Sequence, residues 1–143
     1  MSTTPTASRP PQVDDALPEL SVEMTATRIV AGAIATRDFM PVHHDRAYAN
    51  SQGAPDIFMN ILSTNAHCSR YLTDWAGPDA MLKRLSIRLG VSVFPGSTLA
   101  FSGSVTAVEH EGDELAIDVE FRASNDLGDH ATGTGRLTLP DGG

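Results

Sequence analysis

The apolar residues of this chain change period once, at Gly77-Pro78. Before that point they recur at the spacing of one face of an α-helix. Beyond it they alternate with polar residues, as on a half-buried strand. Proline has no amide hydrogen to continue a helix and disfavours the helical region for the residue before it, so no helix runs through this point. Such a chain must put helices first and strands second. It must then bury the apolar faces of both against each other.

In the helical half, Thr25 is placed to cap a helix reaching about Arg37, with Ile29, Val30, Ala33 and Ile34 on one face. Asp45 is placed to cap a short helix over 46–52, closed by Gly53 in the position that glycine favours after a helix. The longest helical pattern covers 56–76. Ile57, Ile61, Leu62, Cys68, Tyr71, Leu72 and Trp75 form its apolar stripe, while Ser63, Asn65, Ser69 and Asp74 are expected to face water or polar groups.

In the second half, Leu85, Ile87 and Leu89 alternate, followed by Leu99, Phe101, Gly103 and Val105. Leu115, Ile117, Val119 and Phe121 make a third run, and Ala131, Gly133, Gly135, Leu137 and Leu139 a fourth. Turns at Pro95-Gly96, Glu111-Gly112-Asp113 and 125–128 separate them, which reads as four antiparallel strands in meander order. A short extended piece over 18–23 precedes the first helix. Residues 1–17, with Pro5, Pro10 and Pro11 among Ser and Thr, read as a disordered leader to one domain over 18–140. Wrapping the sheet around the long helix buries both sets of apolar faces. The expected fold is therefore α+β, a single hot-dog.

The formal net charge is −8, with 10 Lys and Arg against 18 Asp and Glu. A chain this acidic is not expected to take nucleic acid or an anionic membrane as its main partner, since phosphate binding needs a basic face. No apolar run is long enough to span a bilayer and no signal-like segment opens the chain, which makes the cytoplasm the expected location. One cysteine, Cys68, excludes an intrachain disulfide and a multi-cysteine metal site.

The chemistry concentrates in Asp38-Phe39-Met40-Pro41-Val42-His43. Pro41 forces Met40 out of the helical region, so the chain turns here and can bring a carboxylate and an imidazole to face one small volume. Such a pair sharing a water suits general acid–base catalysis near neutral pH. The plainer alternative is that Asp38 satisfies backbone amides and His43 packs. Other histidines invite less. Asp45 reads as a helix cap beside an exposed His44, and His67 and Cys68 point about 100° apart on a helix, with Cys68 on the apolar stripe. Asp129-His130 reads as a solvated turn, and His110 has no evident role. Lys83, Arg84 and Arg88 are the dense basic patch, most simply a solvated face.

The run Ala35-Thr36-Arg37-Asp38-Phe39-Met40-Pro41-Val42-His43 resembles the signature of the MaoC-like (R)-specific enoyl-CoA hydratases, as do Tyr71 to Pro78 and Val93-Phe94-Pro95-Gly96-Ser97-Thr98. Within that family, His43-His44-Asp45-Arg46, Asp56-Ile57-Phe58, Asn60-Ile61-Leu62 and Leu127-Gly128-Asp129-His130 look like the small hot-dog subunit of the actinobacterial steroid (cholesterol) side-chain hydratases. The resemblance implies hydration of a bulky 2-enoyl-CoA, with Asp38 and His43 as the catalytic pair. Backbone amides at Met59 and Asn60 would meet the thioester oxygen, and Lys83, Arg84 and Arg88 are candidates for the coenzyme A phosphates. It implies a larger MaoC-like partner in a hetero-oligomer, or a homodimer, and no metal or other cofactor. The chain departs from the family pattern at Met40, where the family has Asn, and at Met59-Asn60-Ile61, where it has His-Gly-Met. These departures leave open a non-catalytic subunit that shapes a partner's acyl pocket. An acyl-CoA thioesterase is the third reading.

Overall fold

The computed structural model describes residues 9–142. The leader expected over residues 1–17 lies partly outside that range. Of its described part, Ala16 and Leu17 already belong to the first strand.

Strand β1 (Ala16–Met24) leads into helix α1 (Ala26–Ala35). A single 3₁₀ turn (Pro41–His43) and the short helix α2 (Arg46–Ser51) follow, then the long helix α3 (Ile61–Ala76). Four strands complete the chain: β2 (Met81–Leu89), β3 (Ser97–Glu111), β4 (Glu114–Asn125) and β5 (Gly128–Pro140). The five strands form one antiparallel sheet in the order β1-β3-β4-β5-β2.

The local signals act where the sequence places them. Thr25 Oγ1 accepts from the Arg28 amide at 3.1 Å and Asp45 Oδ1 from the Tyr48 amide at 3.1 Å, each capping its helix. Gly53, at φ +90°, ends α2 in the left-handed region open to glycine. Leu115, Ile117, Val119, Phe121 and Ala123 are buried on alternate residues of β4 and share one core with the long helix, with the small Ala116 also buried between the first two. From α3, Cys68, Tyr71 and Leu72 meet them. The Tyr71 and Phe101 rings lie 5.3 Å apart, and a Cβ at Gly135 would come within 2.5 Å of Leu72 Cδ1. That missing side chain lets the helix settle onto the middle of the sheet.

Three expectations need correction. First, β2 does not join a four-strand meander. It pairs with β5 at the far edge, with Leu85 opposite Gly135, and only β3, β4 and β5 run as a meander. Residues 90–96 are a crossing, not a hairpin. They bond to His130 and Asp129 at one end (Gly90 N to His130 O, 2.7 Å; Val91 N to Asp129 O, 2.9 Å). Further on they bond to Met59 and Met24 (Met59 N to Val93 O, 3.0 Å; Gly96 N to Met24 O, 2.8 Å). Second, the long helix begins at Ile61 rather than at 56. Residues 57–60 run extended because loops satisfy their backbone: Phe58 N donates to Val42 O at 3.3 Å and Met59 N to Val93 O. Third, Ile34, Ile61 and Leu62 are exposed (56%, 48% and 46%), while Ser63 is buried against Gly32 of α1. The small pair Gly32 and Ser63 allows α1 to approach closely.

Candidate active site

Asp38 and His43 are brought together by the turn. Helix α1 ends at Thr36, Arg37 adopts φ +58°, and the Asp38 amide bonds back to Ala33 O at 2.9 Å, which reverses the chain. Met40, extended as Pro41 requires, starts the 3₁₀ turn that carries His43 inward to 8% exposure. His43 Nε2 then lies 3.4 Å from Asp38 Oδ2.

The imidazole has one fixed nitrogen and one free one. Nδ1 is 2.7 Å from Phe58 O, which can only accept, so Nδ1 carries a proton and donates it. The Phe58 ring also packs edge-on against the imidazole at 5.0 Å. Nε2, facing Asp38, is the nitrogen left to exchange protons. The carboxylate side chain keeps 26% of its surface open, enough for a water to reach both groups.

Asp38 is held from the other side by the start of α3. Asn60, 1% exposed, donates from Nδ2 to Asp38 Oδ2 at 3.1 Å and to Thr36 Oγ1 at 2.9 Å. Asp38 Oδ1 accepts from the Met40 amide at 3.3 Å. Asn60 occupies the N-cap position of α3 but makes no side-chain capping bond. The first helical bond closes from Thr64 N to Asn60 O, at 3.2 Å, so the amides of Ile61, Leu62 and Ser63 have no carbonyl one turn back. A helix start of this kind favours developing negative charge.

The family profile described as MaoC like domain matches residues 10–125. This chain belongs to the MaoC-like family. It is 48% identical over 125 residues, 87% of this chain and 94% of its relative, to the Mycobacterium tuberculosis 3-oxo-4,17-pregnadiene-20-carboxyl-CoA hydratase beta subunit. Among solved structures, it resembles a chain of the ChsH1–ChsH2 complex from M. tuberculosis. The TM-score is 0.84 at 47% identity, over 90% of this chain and 98% of that one. The (R)-hydratase of A. caviae has the same fold, with a TM-score of 0.77 at 21% identity over 90% of this chain and 97% of that one. The five-strand antiparallel sheet around α3 is thus the hot-dog architecture of MaoC-like proteins.

The remaining residues singled out in this MaoC-like chain divide clearly. Met59 is buried at 5% and its amide is taken by Val93 O, so it has no amide to offer a ligand. The basic residues are not gathered around the pair. Lys83, Arg84 and Arg88 are exposed on β2, where Arg84 stands opposite Arg136 and Arg88 opposite Thr132. Arg88 lines an open groove on the sheet with Ser86, Ser102, Arg122 and Thr134. Cys68 is fully buried, and burial pushes its thiol up to about 12, as fits a core residue. His44 is exposed beside Phe39 O, and Asp129 pairs with Arg122 at 2.9 Å.

His130 is the residue that sequence reasoning misplaced. The β4–β5 register slips between Ala123 and Ser124, leaving His130 as an extra residue of β5 between Asp129 and Ala131. The slip turns His130 inward to 4% exposure, where Nδ1 meets Val91 O at 2.6 Å and Nε2 meets Thr64 Oγ1 at 2.8 Å. Burial lowers its pKa, partly offset by the bond to Val91. Alternation hid this inward turn, because a bulge breaks the period that alternation relies on. Among the described residues, no group of three or more His, Cys, Asp or Glu is placed to hold a metal ion. No helix among them is long and apolar enough to cross a membrane.

Proposed function

We propose that this chain is the catalytic subunit of an enoyl-CoA hydratase, adding water across the double bond of a bulky, steroid-derived 2-enoyl-CoA. The observation that carries the reading is the Asp38–His43 pair, 3.4 Å apart, with the imidazole locked by Phe58 O and its free nitrogen turned to the carboxylate. A water between them loses a proton to Asp38 as its hydroxyl adds to Cβ. That proton passes from Asp38 to the free Nε2 of His43, which delivers it to Cα, so the net change is one water added and both side chains restored. The thioester oxygen, which gains charge in the enolate, is met by the free amides at the start of α3. These are the backbone amides of Asn60, Ile61, Leu62 and Ser63, not that of Met59.

Phe39 and Met40 directly follow Asp38, and Ile61 and Leu62 directly follow Asn60; all are exposed, Phe39 by 63%. The Asn60–Asp38 bond joins these two segments, so the catalytic pair is rimmed by apolar side chains suited to a large apolar acyl group. The M. tuberculosis relative is named for a steroid side-chain CoA thioester, and its counterpart is found in a two-protein complex. A larger MaoC-like partner is proposed here too, seated along β2. That strand is a sheet edge with no buried residue despite Leu82, Leu85 and Ile87, and with Met81 and Leu89 exposed at its ends. Pairing there would bring Lys83, Arg84 and Arg88 to the subunit boundary, where they could meet coenzyme A phosphates. We place the reaction in the cytoplasm.

The test is loss of the conjugated enoyl absorbance of a steroid enoyl-CoA. The chain is assayed alone and with a larger MaoC-like subunit, each with native Asp38 and with Asp38→Asn. A fall of about a hundredfold or more in the Asp38→Asn assembly, with folding and assembly intact, supports the assignment. Activity that survives the substitution leaves the scaffolding role as the better account, and release of free thiol in place of a hydrated product identifies a thioesterase.

A further inference from the structure

We infer that Asn60 is a positioning residue whose side-chain amide sets the orientation of Asp38. This deepens the hydratase reading and rests on it. An asparagine at a helix N-cap ordinarily turns its side-chain oxygen to the amides of the first turn. Asn60 has the backbone conformation of a cap, at φ −84° and ψ 159°, and forgoes the bond. Its Nδ2 instead points away from α3, bridging Thr36 Oγ1 at 2.9 Å and Asp38 Oδ2 at 3.1 Å. Its Oδ1 is buried with no hydrogen-bond partner among the described residues. Leaving a buried amide oxygen unpaired is costly, so this orientation is favoured by the partners of Nδ2 and not by the needs of Asn60 itself.

The amide orientation is fixed by its neighbours. Thr36 Oγ1 donates to Gly32 O at 2.8 Å, leaving its lone pairs to accept from Nδ2. Reversing the amide would place Oδ1 against the Asp38 carboxylate, acceptor against acceptor. Asp38 therefore has three anchors: the Met40 amide on Oδ1, and His43 and the Asn60 amide on Oδ2. Asn60 is itself held below by Thr64, whose hydroxyl lies 3.3 Å from Asn60 O and 2.8 Å from the buried His130.

Two consequences follow for catalysis. The bond holds Asp38 Oδ2 beside His43 Nε2, the placement in which one water reaches both groups. Turning the side chain away from the helix also leaves the first-turn amides of α3 uncapped for the thioester oxygen. The Asn60 side chain touches neither substrate nor reacting atoms in this scheme; it acts through Asp38.

The experiment uses whichever assembly shows Asp38-dependent hydration, and compares wild type with Asn60→Asp, Asn60→Gly and Asp38→Asn. Asn60→Asp keeps the shape of the side chain but turns the donor into a second carboxylate. Asn60→Gly removes the side chain while sparing the backbone, should Asn60→Asp fail to fold. The expected result is a fall in kcat of about tenfold or more with little change in KM. That split, kcat lowered with KM kept and with folding and assembly intact, marks an interaction needed in the transition state and not for binding. Unchanged activity overturns the inference, and so does a fall in kcat that comes with lost melting temperature or lost assembly in both variants, the mark of a purely structural role. If Asp38→Asn itself stays active, the hydratase reading fails first and this inference fails with it. If Asp38→Asn is inactive and the Asn60 variants behave as wild type, only the inference fails.

Discussion

His43 shows how a single residue is given one direction of action. Its Nδ1 proton is committed to Phe58 O, and its ring is held edge-on by Phe58. His43→Gln should lower hydration by about a hundredfold or more while leaving the assembly folded, checked by steady-state kinetics beside a thermal melt. His130 makes a different prediction. Burial holds its folded-state pKa below the ordinary 6.5, so on acidification the unfolded chain takes up a proton first. Stability is therefore full above about pH 6.5 and declines as pH falls below it, towards the folded-state value. His67, also lowered chiefly by burial, adds to the decline with the same sign. Melting temperatures measured between about pH 7 and pH 5.5 should fall for wild type and fall less for His130→Gln; equal slopes would show that His130 does not drive the change.

At the scale of elements, the site depends on how closely α1 approaches α3. Gly32 faces Ser63 with no room for a Cβ, and this contact sets Thr36 and Asp38 against Asn60. Gly32→Ala should push the helices apart and lower kcat, even though Gly32 is remote from the reacting atoms. A melt within a few degrees of wild type together with reduced turnover would show the effect to be one of positioning. In the sheet, a Cβ added at Gly133 would run into the Ser86 carbonyl and lie 2.9 Å from Phe121 Cζ. Backbone cannot yield as a flexible side chain can, so Gly133→Ala should destabilise the protein by about 1–3 kcal/mol in denaturant titration. The helix caps at Thr25 and Asp45 and the alternation of β3, β4 and β5 were legible in the chain because each depends on neighbours in sequence. The start of α3 was not, because residues 57–60 are held extended by Val42 and Val93, which lie far away in the chain.

For the whole molecule, the open question of assembly comes down to the two sheet edges, β1 and β2. β1 buries Leu17, Val22 and Met24 within the chain, whereas β2 buries none of its residues. Placing charge on β2 with Met81→Lys and Leu89→Lys should shift the protein towards monomer in sedimentation or size-exclusion measurements, with its circular dichroism preserved. An assembly unaffected by both substitutions would move the proposed interface elsewhere.

The sequence by itself determined the α+β class, the sheet-around-helix architecture and the turn that carries Asp38 and His43, since period and proline geometry are local properties. It also marked Cys68 as core. The tertiary structure alone decided that β2 crosses to pair with β5, that a bulge turns His130 inward, and that Asn60 gives its amide to Asp38 instead of to its own helix. Each of these depends on which distant backbone satisfies a given polar group. A periodic pattern records which residues are apolar, but not where a hydrogen bond finds its partner.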